Sequence, residues 1–252
     1  MFWISNSDGS VAKVNLDGTG QTVLATATSS GWGIAADENS VFYSTNDSFG
    51  VGRRVPVGGG SSVIIATKLY DPKEVVVDAQ NVYFACYDNP TLSNSKTASS
   101  DQSAVTVTGA SICLAVSSSS LYYTLTSGSL YGKTLPSGTP FSIVTDAVQT
   151  RAIAYRDGSL FYTSGQDVRK VGSGGGTPVI VAPNQADSYG LALDASAIYW
   201  TIDNSTGAIW RSDAGGNVAI ATGQNQPTGI VVDSKAIYWV NSGSGQVMKL
   251  AK

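Results

Sequence analysis

A pair of adjacent aromatic residues returns about every 40 residues along this chain: Phe2-Trp3, Phe42-Tyr43, Tyr83-Phe84, Tyr122-Tyr123, Phe161-Tyr162, Tyr199-Trp200 and Tyr238-Trp239. A fixed period from end to end means one supersecondary unit copied many times, and this limits the fold more than composition does. Each pair sits in the same context. Ahead of it runs a short apolar segment: "GIAAD" from Gly33, "EVVVD" from Glu74, "CLAVS" from Cys113, "AIAYR" from Ala152, "GLALD" from Gly190 and "GIVVD" from Gly229. Such a run suits a strand buried on both faces. Behind it come clusters such as "NSDGS", "DNSTG" and "NSGSG", whose Asn, Asp and Gly supply hairpin geometry. A third strand follows ("RRVPV", "VRKVG", "VMKLAK"), then a Gly-rich turn and an outer strand ("SVIIAT", "PVIVA", "VAIAT").

Four short strands joined by tight turns and repeated at this period describe the blades of an all-β propeller. No stretch has helical periodicity. The large aromatics are expected to fill the space between neighbouring blades. There are seven aromatic strands and six apolar first strands, so the expectation is seven blades of mainly four antiparallel strands. The alternative is six blades, with "TVLAT" from Thr22 completing the last blade and residues 2–16 forming an extra hairpin. In the seven-blade reading, about 15 to 20 residues before Met1 would supply an outer strand for the last blade and a first strand for the first, removing exposed edges. Residues 1–252 are then one domain, closed between its N- and C-terminal segments. The third repeat departs most from the pattern. There "TLSNSKTASSDQSAVTV" replaces the apolar third strand, and an irregular blade is expected.

The segment "IYWTIDN" from Ile198 resembles the YWTD-type propeller repeat, and "PTGIVVD" from Pro227 resembles the related NHL-type repeat. The resemblance covers the whole chain and is weakest in the third repeat. It implies a propeller of six or seven blades. It implies little about activity, because propellers host enzymes, lectins and scaffolds alike.

Composition narrows the partners. Charged residues make up 13%, against roughly 25% in ordinary soluble domains, and Ser, Thr, Asn, Gln and Gly take their place. That points to an extracellular or periplasmic protein, although Met1-Phe2-Trp3 does not begin a signal peptide. The chain reads equally as one module of a larger surface polypeptide. The net charge is −3, and no Lys/Arg cluster exceeds Arg53-Arg54, so the footprint of a nucleic-acid binder is missing. No apolar run approaches the roughly 20 residues of a membrane span.

The chain contains no histidine, which excludes Ser-His-Asp and Cys-His nucleophile systems and His-based zinc sites. No cofactor or metal is expected. Cys86 falls late in the aromatic strand of the third repeat and Cys113 opens the first strand of the next, near the same face of neighbouring blades, as two buried thiols or as a disulfide. Asp37, Asp78, Asp194 and Asp233 recur just after the first strand, where Asp accepts backbone N–H bonds and fixes a turn. The Gly-rich runs at Gly58 and Gly172 lack a phosphate loop's Gly-Lys-Ser/Thr ending. Glycosylation sequons occur at Asn46-Asp47-Ser48 and Asn204-Ser205-Thr206.

Residues that break the repeat symmetry are the better site candidates. At the strand entrances stand Trp32, Lys73, Ile112, Arg151, Tyr189 and Thr228. They are expected to ring one mouth of a central channel, with Tyr70, Asp71, Glu74, Tyr87 and Asp88 as neighbours. Aromatic and basic side chains gathered there can grip a carboxylate, a sugar or a peptide. The expected function is a non-catalytic binding module or scaffold with a protein or carbohydrate ligand at Trp32, Lys73, Arg151, Tyr189, Tyr87 and Asp88. The alternative is a propeller enzyme of the lyase, lactonase or glycosidase type. Against it, Glu38 and Glu74 are the only glutamates, and only Glu74 falls near the mouth, so a paired-glutamate site is not expected.

Overall fold

The computed structural model describes residues 1–26, 29–47, 49–88, 90–97, 103–104, 109–145 and 147–252. Among them every regular element is a strand, and the strands form seven antiparallel sheets, five of four strands and two of three. This is a seven-bladed β-propeller. The six-blade alternative fails on one pairing. The strand Thr22–Ala25 continues the first sheet by pairing with Val11–Lys13, with Lys13 opposite Thr22, and residues 2–13 are the start of that same blade.

The chain divides into two compact units, residues 1–126 with 133–140, and residues 127–132 with 141–252. The first unit holds blades one to three, whose second strands are Phe2–Ile4, Ser40–Thr45 and Asn81–Cys86. The second holds blades five to seven, with second strands Ser159–Ser164, Ile198–Ile202 and Ala236–Asn241. Blade four contributes strands to both. In blade three the third strand is Leu92–Ser95 and the outer one only Ser103–Ala104. The rest of the irregular stretch expected there, 98–102 and 105–107, lies outside the described residues, as does Ser48 of the first sequon.

Each aromatic pair works in two directions because successive strand residues point to opposite faces. In the first unit Tyr43 packs with Val11, Leu24 and Phe2 of blade one, whereas Phe42 packs with Val75, Val82 and Phe84 of blade three. In the second unit Trp200 joins Phe161 and Val168 of blade five, and Tyr199 joins Ile230 and Trp239 of blade seven. Tyr43, Phe84, Tyr123, Tyr162 and Trp200 are fully buried. A buried ring contributes on the order of 1.5–3 kcal/mol through area removed from water, and the pair delivers this to both seams of its blade.

The recurrent aspartates are turn formers. Asp78 Oδ1 accepts the N–H groups of Gln80 and Asn81 at 2.8 and 2.7 Å, and Asp194 and Asp233 repeat this two and three residues on. The other oxygen accepts a tyrosine hydroxyl of the next strand: Tyr83 to Asp78 at 2.7 Å, Tyr199 to Asp194 at 2.8 Å, Tyr238 to Asp233 at 3.0 Å. Blade two has Phe42 where these have Tyr, and Asp37 turns instead to Lys96, 2.8 Å away.

Candidate functional site

The strand entrances carry a device that hydrophobic patterning does not reveal. In blade two Gly31 pairs with Thr45 and Ile34 with Tyr43, so Trp32 and Gly33 together face Ser44 alone. The same one-residue bulge sets Lys73 and Glu74 against Ala85, Ile112 and Cys113 against Thr124, Tyr189 and Gly190 against Thr201, and Thr228 and Gly229 against Val240. A bulge bends its strand and re-aims the extra side chain. Here it turns the entrance residues out of the sheet: Trp32 is 38% exposed and Tyr189 36%. The unpaired backbone N–H groups find hydroxyls across the bulge. Gly33 donates to Ser44 at 3.0 Å, Cys113 to Thr124 at 3.2 Å and Gly190 to Thr201 at 2.8 Å. In blade five Arg151 and Ala152 both donate to Thr163, at 2.9 and 3.2 Å. Glycine is needed at Gly190 for lack of space, since a Cβ there would lie 2.3 Å from the Thr228 carbonyl oxygen.

In the first unit the bulges bring three of the expected site residues together. The Lys73 ammonium sits 4.1 Å from the centre of the Trp32 ring and 5.6 Å from that of Tyr87, and Asp71 Oδ1 holds it at 2.8 Å. Tyr87 is 44% exposed and Tyr70 38%. Asp88, exposed beside Tyr87, donates its backbone N–H to the Tyr70 carbonyl at 3.3 Å, and Tyr87 donates likewise to Asp71 at 3.0 Å. In the second unit the Arg151 guanidinium lies 5.9 Å from the Tyr189 ring. Burial pushes the Asp203 carboxyl up, opposed by the charge of Arg151 and reinforced by that of Asp187.

Blade three has no hydroxyl opposite its bulge, only Ala85, and its bulge residue Glu74 reaches across to blade four. Its Oε2 accepts the Leu114 N–H at 2.6 Å. Burial pushes this carboxyl up to about 7, against the pull of that N–H. Cys113 lies beside it, its thiol pushed up by burial and by the Glu74 charge. Cys86 and Cys113 are both buried thiols rather than a disulfide, and the Cys86 S–H points to the Phe84 carbonyl at 3.5 Å.

Two features here have no sequence signal. Phe49 is 70% exposed and its backbone is left-handed, with φ of 74°. Lys68, Tyr70 and Asp71 are left-handed too, with φ of 57°, 49° and 56°. Each such residue costs about 1–3 kcal/mol, and none of the four is a glycine. The two segments are tied by Tyr70 N–H to the Phe49 carbonyl at 2.7 Å and Leu69 N–H to that of Gly50 at 3.0 Å, with the Phe49 and Tyr70 rings 5.8 Å apart. At the far end of these strands a cleft of about 690 Å³ is lined by Asp37, Phe42, Arg54, Gln80 and Lys96. Its cations are already engaged, Lys96 with Asp37 and Arg54 with the Lys96 carbonyl at 2.5 Å.

No protein-family model matches this sequence. No curated protein matches it either. Solved structures do resemble it. The propeller in a nidogen/laminin complex aligns with a TM-score of 0.71 and 10% identity over 91% of this chain and 96% of that one. YCF48 bound to a D1 peptide aligns with a TM-score of 0.73 and 11% identity over 100% of this chain and 87% of that one. The computationally designed Ika8 protein gives 0.71 and 15%, over 98% and 81%. At such identities the likeness establishes one thing about this chain, that it folds as a β-propeller.

Proposed function

We propose that this chain is a non-catalytic binding module, a YWTD/NHL-type propeller of the extracellular or periplasmic space, which takes a protein or glycan partner on its bulged strand entrances. The observation that carries this reading is the bulge itself. It recurs at one position while the residue it presents changes from blade to blade: Trp32, Lys73, Ile112, Tyr189 and Thr228. A constant mount with a variable head is what a recognition surface needs, and exposed Trp, Tyr and Arg are the side chains that dominate interfaces. Two of the similar structures contain a protein or peptide partner, laminin and the D1 peptide, which favours the protein branch. The reading as a propeller enzyme has one observation in its favour, the raised carboxyl of Glu74. Its oxygen is committed to Leu114 and Asp71 is ion-paired with Lys73, so these carboxylates do not form an acid/base pair.

Peptide and glycan arrays probed with the wild type, Trp32→Ala, Tyr189→Ala and the exposed third-strand control Lys170→Ala test the reading. A binder is expected whose signal falls at least about tenfold in one of the first two variants and not in Lys170→Ala. An array without binders, or a binder indifferent to both entrance variants, refutes it.

A further inference from the structure

Four exposed aromatics in the first unit, Phe49, Tyr70, Tyr87 and Trp32, form one linked strip. Phe49 and Tyr70 are in ring contact. The backbones of Tyr70 and Asp71 are bonded to those of Asp88 and Tyr87. Lys73 then braces Tyr87 against Trp32. The left-handed residues at 49, 68, 70 and 71 fix the backbone under the strip, so little freedom is lost when something settles on it. Charges along the strip are of both signs: Lys73 is ion-paired with Asp71, and the other exposed charges of these segments, Lys68 and Asp88, are opposite in sign. Such a surface has no pull on a polyanion or a polycation.

Resting on the binding-module reading above, we propose that this strip docks an extended, uncharged, proline-containing segment of a partner protein in polyproline II conformation. Proline rings pack on aromatic faces, and the conformation is already formed before binding. Its carbonyls make no internal hydrogen bonds, so the hydroxyls of Tyr70 and Tyr87 and the indole N–H of Trp32 can donate to them. A sugar asks for something else, several carboxylate or amide groups converging on ring hydroxyls. Here Asp71 is held by Lys73 and Glu74 by the Leu114 N–H, which leaves ring faces and single donors.

The test uses a labelled peptide of about twelve residues with repeated Pro-x-x-Pro and neutral x positions, its proline-to-alanine counterpart, and a glycan array in parallel. Fluorescence anisotropy against the whole chain is expected to show binding of the proline peptide and none of the counterpart. Tyr70→Ala and Tyr87→Ala should each weaken it at least about tenfold, or 1.4 kcal/mol. Phe49→Gly should also weaken binding while leaving the melting temperature unchanged or raised, because glycine accepts the left-handed backbone. That separates recognition from folding. Equal binding of both peptides, or binding indifferent to Phe49→Gly and Tyr87→Ala, overturns the inference. A glycan that binds through Trp32 while the peptides do not overturns it too, yet leaves the binding-module reading standing. No binding by any probe removes both.

Discussion

Asp194 gathers five donors on one carboxylate: the Ser196 and Ala197 N–H groups, the Ser196 and Tyr199 hydroxyls and the Lys252 ammonium. Burial works against its charge, but these donors hold the carboxyl well below the usual carboxylate range. Burial and the same carboxylate push the Tyr199 hydroxyl up to about 12. A depressed acid stabilises the fold at pH values above its unfolded pKa, and that stability is lost as pH falls through the folded value. Asp194→Ala is expected to cost about 1–3 kcal/mol at neutral pH and to lose much of that difference in strong acid, read by thermal melts. Glu74 has the opposite sign. Its folded carboxyl is raised to about 7 from 4.5, so the wild type loses stability as pH climbs between those values and the deficit is complete above the upper one. Glu74→Gln keeps an acceptor for Leu114 and removes the charge. It should melt with the wild type near pH 5 and above it near pH 8, by up to roughly 3 kcal/mol. Identical profiles would show that the carboxyl is not buried as described.

Among elements, the bulged first strand is where sequence reading and structure part company. Apolar runs such as "GIVVD" located these strands, and the turn aspartates behind them took the role expected of them. Hydrophobic patterning carries no trace of the inserted residue, because these runs are apolar at successive positions and offer no alternation to be broken, although the strands are not buried on both faces as expected: Val231 is 55% exposed. The signal that was present is smaller: glycine as the second bulge residue (Gly33, Gly190, Gly229) and Ser or Thr opposite it (Ser44, Thr124, Thr201). Thr201 serves two strands, accepting from Gly190 at 2.8 Å and donating to the Thr228 carbonyl at 2.9 Å. Thr201→Val keeps the shape and strands both groups, with an expected loss of about 1–3 kcal/mol in chemical denaturation. The reverse change at Val240, which faces its bulge without a hydroxyl, is the built-in comparison: Val240→Thr should not destabilise by that amount.

On the scale of the whole chain, the period of the aromatic pairs was enough for fold class, because ring volume is what separates packed sheets, and it favoured seven blades; the pairing of Thr22–Ala25 with Val11–Lys13 decided against six. The third repeat was legible only as an exception. The candidate site was half legible: Trp32, Lys73 and Tyr87 do meet, and so do Arg151 and Tyr189. Phe49 was missed because left-handed backbone at a bulky residue is set by its surroundings and not by its own preference. With no histidine and a net charge of −3, few groups titrate between pH 5 and 8. The pH profile of the melting temperature in that window should therefore flatten when Glu74 is replaced.

The two-way aromatic pair has a consequence for how such chains grow and shrink. A copied forty-residue module brings along a ring for the joint behind it and a ring for the joint ahead, so an insertion or loss of one whole module regenerates complementary contacts at the splice. Half a module carries only one side of that match, which makes the repeat, and not the strand or the hairpin, the smallest step by which this architecture can change length.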